Sequence, residues 1–369
     1  MYLKLTFSNW FNLTAILIFS AILCSCNSEL NKEPSIDFVK ADTIQIEGEK
    51  YYSLTNTKFK LSNKREHLVI LQDRVIDLLS LKTNKIVKLI DLYESNLVLP
   101  EDNLGAVGYD EETQTIALLF PNRKKVIFLN SEGQMQKEIT LTGLEELNHR
   151  IFDYGDYFYF SMEDQLIFVG TTTFWLGSLD KDYYQKSKFV SVFNFDGELL
   201  TQFGEFPDSR KESGLSALSQ GLFSSDINID RKEFFVKAAS GSPEIVVYNF
   251  EGLEIKRGGI ESKFINYTLS PYKGEGIESG IINDSFKEFK WINQDLIATR
   301  SAQSINEGID RLKHQSTILI EDMANQKLYS KVIDPFQFLV YADEKELRFV
   351  RTHPNRDELI MVRVEYALE

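Results

Sequence analysis

The residues able to do chemistry are few and scattered. Cys24 and Cys26 sit together near the N-terminus, and His67, His149, His314 and His353 stand apart from one another. Metal and thiol chemistry therefore has few ligands to draw on, and no metal, cofactor or catalytic residue is assigned. There is no Gly-x-Ser-x-Gly elbow, no His-Glu-x-x-His pair and no phosphate loop. The glycines of residues 273–280 (KGEGIESG) miss the dinucleotide spacing and read as a flexible loop. What remains is aromatic and cationic. Residues 171–188 (TTTFWLGSLDKDYYQKSK) carry Phe174, Trp175, Tyr183 and Tyr184, whose faces suit stacking on a sugar ring or gripping a peptide. The plainer alternative is a lid that buries its own aromatics. Arg123, Arg300, Arg351 and His353 fall in or beside predicted loops, where a shared positive field would suit a carboxylate or uronic acid.

The background charge is opposite in sign. Acidic residues outnumber basic ones 55 to 41, for a net charge of -14. A chain of this balance repels polyanions, which argues against nucleic acid as a partner. Twenty-seven Phe and 16 Tyr in 369 residues favour pleated surfaces and hence a β-rich fold.

The N-terminus supplies an address. Lys4 precedes an apolar run over residues 13–23 (LTAILIFSAIL), the length of a signal-peptide core and too short to span a bilayer. The run ends Leu23-Cys24-Ser25-Cys26, which resembles the bacterial lipobox, with an aliphatic residue three before and a small residue one before the acylated cysteine. Cys26 fits that pattern and Cys24 does not. The expected organisation is a signal peptide over residues 1–25, a tether over 26–38 and one domain over 39–369. The expected location is the cell envelope, with the lipid on Cys26 in the outer membrane and the domain on its periplasmic side or at the cell surface. Cleavage removes Cys24, so no disulfide forms within the mature chain and the core must supply its stability. The alternative is an uncleaved N-terminal anchor.

The domain repeats. VIFLNSEG (residues 126–133), VSVFNFDG (190–197) and IVVYNFEG (245–252) each read as a strand followed by Asn-x-[Asp/Glu]-Gly. Asn opens such a turn by bonding its own backbone, and Gly takes the left-handed position that closes it. LLSLKTNK and LIEDMANQK are weaker copies with Asn84 and Asn325 at the glycine position. The five turns recur about every 60 residues, a period suited to β-propeller blades of four antiparallel strands. Six hairpin pairs can be read, HLVIL with VIDLLSL, TIALLF with VIFLN, DQLIFVG with FVSVFNF, EFFVKA with IVVYNF, DLIATR with TILIE, and ELRFV with ELIMVRVEYA. The sixth runs out of chain, and DTIQIEG (residues 42–48) is expected to supply its outer strand and close the ring. A large sandwich with fortuitous turns is the competing architecture.

Lipobox, length, turns and six irregular blades together resemble the uncharacterised six-bladed TolB-like propeller lipoproteins of Bacteroidetes, of the domain of unknown function 4221 type. The resemblance implies an all-β propeller and an envelope location, and it carries over no activity and no catalytic residue. The expected role is a non-catalytic binding or scaffold propeller, held to the membrane by lipid, with an envelope protein complex or a glycan as partner. The alternative is a cation-dependent hydrolase or lyase acting on a polysaccharide at the channel mouth. On the face where second and third strands join, two long loops are expected, residues 171–188 and 301–316.

Overall fold

Each of the six expected hairpins forms the middle of a four-stranded antiparallel sheet in the computed structural model. It describes residues 34–46, 57–93, 103–145, 149–151, 157–173, 186–208, 223–238, 242–262, 285–306, 312–333, 337–352 and 359–369. Blade one is β2 (Thr57–Leu61), β3 (His67–Gln72), β4 (Val75–Ser80) and β5 (Lys85–Asp91). Blade two is β6 (Ala106–Asp110), β7 (Thr115–Phe120), β8 (Lys125–Leu129) and β9 (Met135–Thr140). Blade three is β11 (Phe158–Ser161), β12 (Leu166–Thr173), β13 (Val190–Asn194) and β14 (Leu199–Phe203), with β10 (His149–Ile151) added to the end of β12. Blade four is β15 (Phe223–Asn228), β16 (Glu233–Ala238), β17 (Ile245–Asn249) and β18 (Glu254–Gly258). Blade five is β19 (Ser285–Trp291), β20 (Leu296–Asn306), β21 (Leu312–Asp322) and β22 (Lys327–Ile333). Blade six takes β23 (Phe338–Ala342), β24 (Glu346–Thr352) and β25 (Leu359–Leu368) from the end of the chain and β1 (Ile36–Gln45) from its beginning.

That last pairing closes the ring, as the sequence predicts. β1 starts earlier than residue 42, and its ladder with β25 runs from Ile36 opposite Leu368 to Gln45 opposite Ile360. Residues 36–38, read from sequence as the end of the tether, thus lie in the closing strand. Ser35 and Glu369 exchange two backbone hydrogen bonds just beyond it, at 3.2 and 3.1 Å.

The repeated turns work by local chemistry. Asn130, Asn194 and Asn249 each accept two backbone N–H bonds on Oδ1, from the residues two and four further on. Gly133, Gly197 and Gly252 then sit at φ of 80°, 86° and 83°, in the region that costs a side chain steric strain. Asn84 occupies the same region at φ 57°. In blade five the left-handed residue is Gln326, at φ 54°, and not Asn325. Asn325 is instead held by Asp322, which accepts its backbone N–H at 2.9 Å and its side-chain amide at 2.8 Å. That clamp moves the left-handed position one residue on.

The cores lie between adjacent blades. The one that joins blades three and four is strongly aromatic, with Phe189 stacked on Phe223 at 4.7 Å and Phe203 against Tyr248 at 4.8 Å. Blades four and five are also pinned by an ion pair, Lys237 to Glu321 at 2.5 Å, with both side chains 1% exposed. Burial pushes the Lys237 ammonium below its ordinary range, against the pull of Glu321. Such a pair adds little to stability compared with an apolar one, yet losing one partner strands a buried charge.

Candidate functional site

In a propeller the innermost strands surround a central channel, and here one turn reaches into it from blade one. Residues 62–66 (SNKRE) join β2 to β3. The turn is folded by its own polar atoms: Ser62 Oγ accepts the His67 N–H at 3.0 Å, Arg65 N–H donates to the Ser62 carbonyl at 2.9 Å, and Arg65 adopts φ 60°. The Glu111 carboxylate of blade two accepts the backbone N–H groups of Lys64 and Glu66 and is bonded by the Ser62 hydroxyl.

From that seat the turn touches every other blade. Asn63 Nδ2 donates to Asp110 in blade two at 2.9 Å and to the Phe160 carbonyl in blade three at 3.0 Å. Lys64 pairs with Glu112 at 3.0 Å and with Asp230 of the turn after β15, and both carboxylates hold its ammonium above the ordinary lysine range. Arg65 donates to the Trp291 carbonyl in blade five at 2.6 Å and to the Ala342 carbonyl in blade six at 3.1 Å. Its guanidinium lies 4.6 Å from the Trp291 ring and 5.3 Å from the Tyr341 ring. Next to the turn, the Lys60 ammonium caps the Tyr159 ring at 3.1 Å, and the Asp226 carboxylate accepts the Trp291 backbone N–H at 3.1 Å. The space left among Lys60, Asn63, Arg65, Asp226 and Lys290 is about 10 Å³, room for one water at most. This end of the channel is filled by side chains.

The predicted site residues fare differently. Arg300 is 5% exposed and grips the Glu288 carboxylate with Nε and Nη2, the latter at 2.7 Å, while Nη1 donates to Ser316 Oγ at 3.0 Å. Its charge is paired with Glu288 inside blade five. Arg123 is exposed at the end of a 3-10 turn, Pro121–Arg123, on blade two, and Arg351 is half-buried in β24 opposite Ile360. The three arginines occupy three blades. Phe174, Trp175, Tyr183, Tyr184, His353 and Cys26 lie outside the described residues. The expected long loop over residues 301–316 is largely a hairpin, because β20 and β21 stay paired out to Asn306 opposite Leu312, and His314 stands in that ladder opposite Ser304.

Of the other histidines, His67 places Nδ1 3.6 Å from Glu111 and its ring edge-on to Tyr109. His149 is buried and its Nε2 accepts the Lys188 N–H at 3.4 Å. Among the described residues no three His, Cys, Asp or Glu side chains converge as a metal site, and no helix is long and apolar enough to cross a membrane.

The sequence analysis missed a hollow on the outer side of the ring. A groove of about 690 Å³ opens between blades three and four, bordered by β14, residues 204–208, β17 and β18. Phe203, Phe206 and Tyr248 form buried parts of its wall, and burial pushes the Tyr248 phenol up to about 12. Its charged border holds Glu205, Asp208, Glu244 and Glu254 against Lys188 and Arg257. Both cations are engaged, Lys188 by Glu205 and Arg257 by Glu244 and Glu254. The groove is built from the outer strands of two blades, so no single segment announces it.

No family model and no curated protein matches this sequence. Among solved structures, a member of the domain of unknown function 4221 family from Bacteroides vulgatus is similar at a TM-score of 0.63 and 12% identity, over 91% of this chain and 99% of that one. A candidate exported protein of Bacteroides fragilis aligns at a TM-score of 0.49 and 11% identity, over 88% of this chain and 95% of its own. At such identities only the fold follows. The chain shares the six-bladed propeller fold of a solved protein of the domain of unknown function 4221 family.

Proposed function

We propose that this chain is a lipid-anchored binding protein of the bacterial cell envelope, tethered through Cys26, whose propeller holds an envelope protein or a glycan without transforming it. One observation carries the reading: the turn of residues 62–66 fills one end of the channel, with Asn63, Lys64 and Arg65 engaged by the five other blades. Charged groups used in this way hold the ring together and are not poised to react. Arg300, one of the predicted anion ligands, is likewise paired with Glu288. The groove between blades three and four then remains for recognition, and the sequence adds Phe174, Trp175, Tyr183 and Tyr184 as aromatic candidates.

Two measurements test this. Labelling cells with a fatty-acid analogue should mark the parent and not Cys26→Ala, and a labelled Cys26→Ala variant overturns the anchor. Residues 26–369 should bind members of a panel of immobilised envelope glycans and purified envelope proteins, with Trp175→Ala weakening capture by about 1–3 kcal/mol if residues 174–185 make the contact. Failure to bind any panel member overturns the binding role.

A further inference from the structure

The outermost strand of a blade exposes unpaired backbone donors and acceptors, and proteins protect such edges with charged residues. Five of the six outermost strands here do so. β1 carries Asp37, Lys40 and Asp42, β5 carries Lys85, Lys88 and Asp91, β9 carries Lys137 and Glu138, β18 carries Glu254, Lys256 and Arg257, and β22 carries Lys327 and Lys331. β14, Leu199-Leu200-Thr201-Gln202-Phe203, carries none. It is the last strand of its sheet, Leu200 is 54% exposed, and no strand pairs with its outer edge among the described residues. The unprotected edge borders the 690 Å³ groove, whose four carboxylates outnumber its two cations.

We propose that β14 accepts an extended, lysine- or arginine-bearing segment of a partner protein as an added edge strand of blade three, its cationic side chains reaching the carboxylates of the adjoining groove. This rests on the binding reading above and names the chemistry of the partner. Strand addition draws affinity from main-chain hydrogen bonds and selectivity from pockets for alternate side chains. The uncharged edge supplies the first and the acidic groove the second. Glu205, Glu244 and Glu254 already share Lys188 and Arg257, so an incoming cation meets a border with net negative charge and displaces nothing buried.

The test uses the chain of residues 26–369 and three short peptides blocked at both ends: alternating Thr and Lys, alternating Thr and Glu, and the Thr-Lys peptide N-methylated along one edge. The Thr-Lys peptide should bind at least about tenfold more tightly than either of the others, weaken as salt is raised, and slow amide exchange across residues 199–203. Leu200→Lys, at an exposed site, should weaken it about tenfold or more, and Met135→Lys on the outer strand of blade two should not. Equal binding of the three peptides, full binding by Leu200→Lys, or no binding at all overturns the inference. If the chain captures an envelope protein or glycan that the Thr-Lys peptide fails to displace, the strand site is wrong while the binding role stands.

Discussion

Arg65 of blade one donates to the backbone carbonyl of Trp291, 226 residues away in blade five, at 2.6 Å, and stacks its guanidinium 4.6 Å from the same indole. The contact spans the channel. A second Arg65 bond to Ala342 makes the turn a tie among blades one, five and six. Arg65→Ala strands two carbonyls and should cost about 1–3 kcal/mol in urea unfolding. Removing the cation from its ring should also shift Trp291 emission. An unchanged unfolding midpoint with unchanged emission contradicts the tie.

The turn glycines separate conformational strain from close approach. A Cβ at Gly197 would lie 2.0 Å from the Thr140 carbonyl oxygen of the neighbouring blade, whereas at Gly252 its nearest neighbour would be a Phe203 ring carbon at 3.0 Å. Both residues share nearly the same φ, for which a side chain costs on the order of 1–3 kcal/mol. Gly197→Ala should therefore destabilise distinctly more than Gly252→Ala in thermal melts. Equal losses contradict the inter-blade contact at Gly197.

These turns were legible because their chemistry is local: an Asn side chain and a Gly within four residues suffice to mark a hairpin. The six hairpins were legible separately, as paired apolar strands, and the orphaned sixth pair pointed back to the N-terminal strand. The channel was not legible, since Arg65 finds Trp291 and Ala342 through the closure of the ring and leaves no periodicity in sequence. The pairing of Arg300 was not legible either, because its partner, Glu288, lies twelve residues earlier on the neighbouring strand. Residues 302–306 and 312–316 read as a loop for want of apolar alternation, although backbone pairing alone carries β20 and β21 through them. The groove joins outer strands of two blades and has no local signature.

Blade five offers a test of the corrected turn. Gln326 holds the left-handed position and Asn325 the Asp322 contact. Gln326→Gly should be neutral or stabilise by up to about 1 kcal/mol, the relief of a side chain at positive φ, offset in part by its lost bond to Met323. Asn325→Gly should destabilise. The reverse order in melting temperature contradicts the assignment.

Ring closure predicts a boundary. Deleting residues 27–33 should leave the melting transition intact, whereas deleting 27–46 removes β1, takes buried Ile36 out of the core and exposes the edge of β25. The longer deletion should aggregate or lose cooperative melting. Equal stability of the two contradicts closure by β1.

Buried phenols set the alkaline limit. Burial pushes Tyr248 and Tyr341 up to about 12, the latter with help from Asp343, and raises Tyr366 as well. An unfolded tyrosine ionises near 10, so between about pH 10 and 12 the unfolded chain gives up protons that the folded chain retains. Their contribution to stability is complete below pH 10 and falls as pH rises through that window. Tyr248→Phe should flatten the fall in melting temperature, and an identical pH profile for that variant contradicts the shift.

Binding without turnover is the central claim, and product release measures it most directly. Residues 26–369 incubated with a panel of envelope and dietary polysaccharides, with calcium and with a chelator, should release no reducing ends or unsaturated sugars above a protein-free blank, and any captured glycan should be recovered intact. Product that accumulates with time and enzyme concentration, and that the chelator abolishes, would contradict the account and establish a cation-dependent hydrolase or lyase in its place.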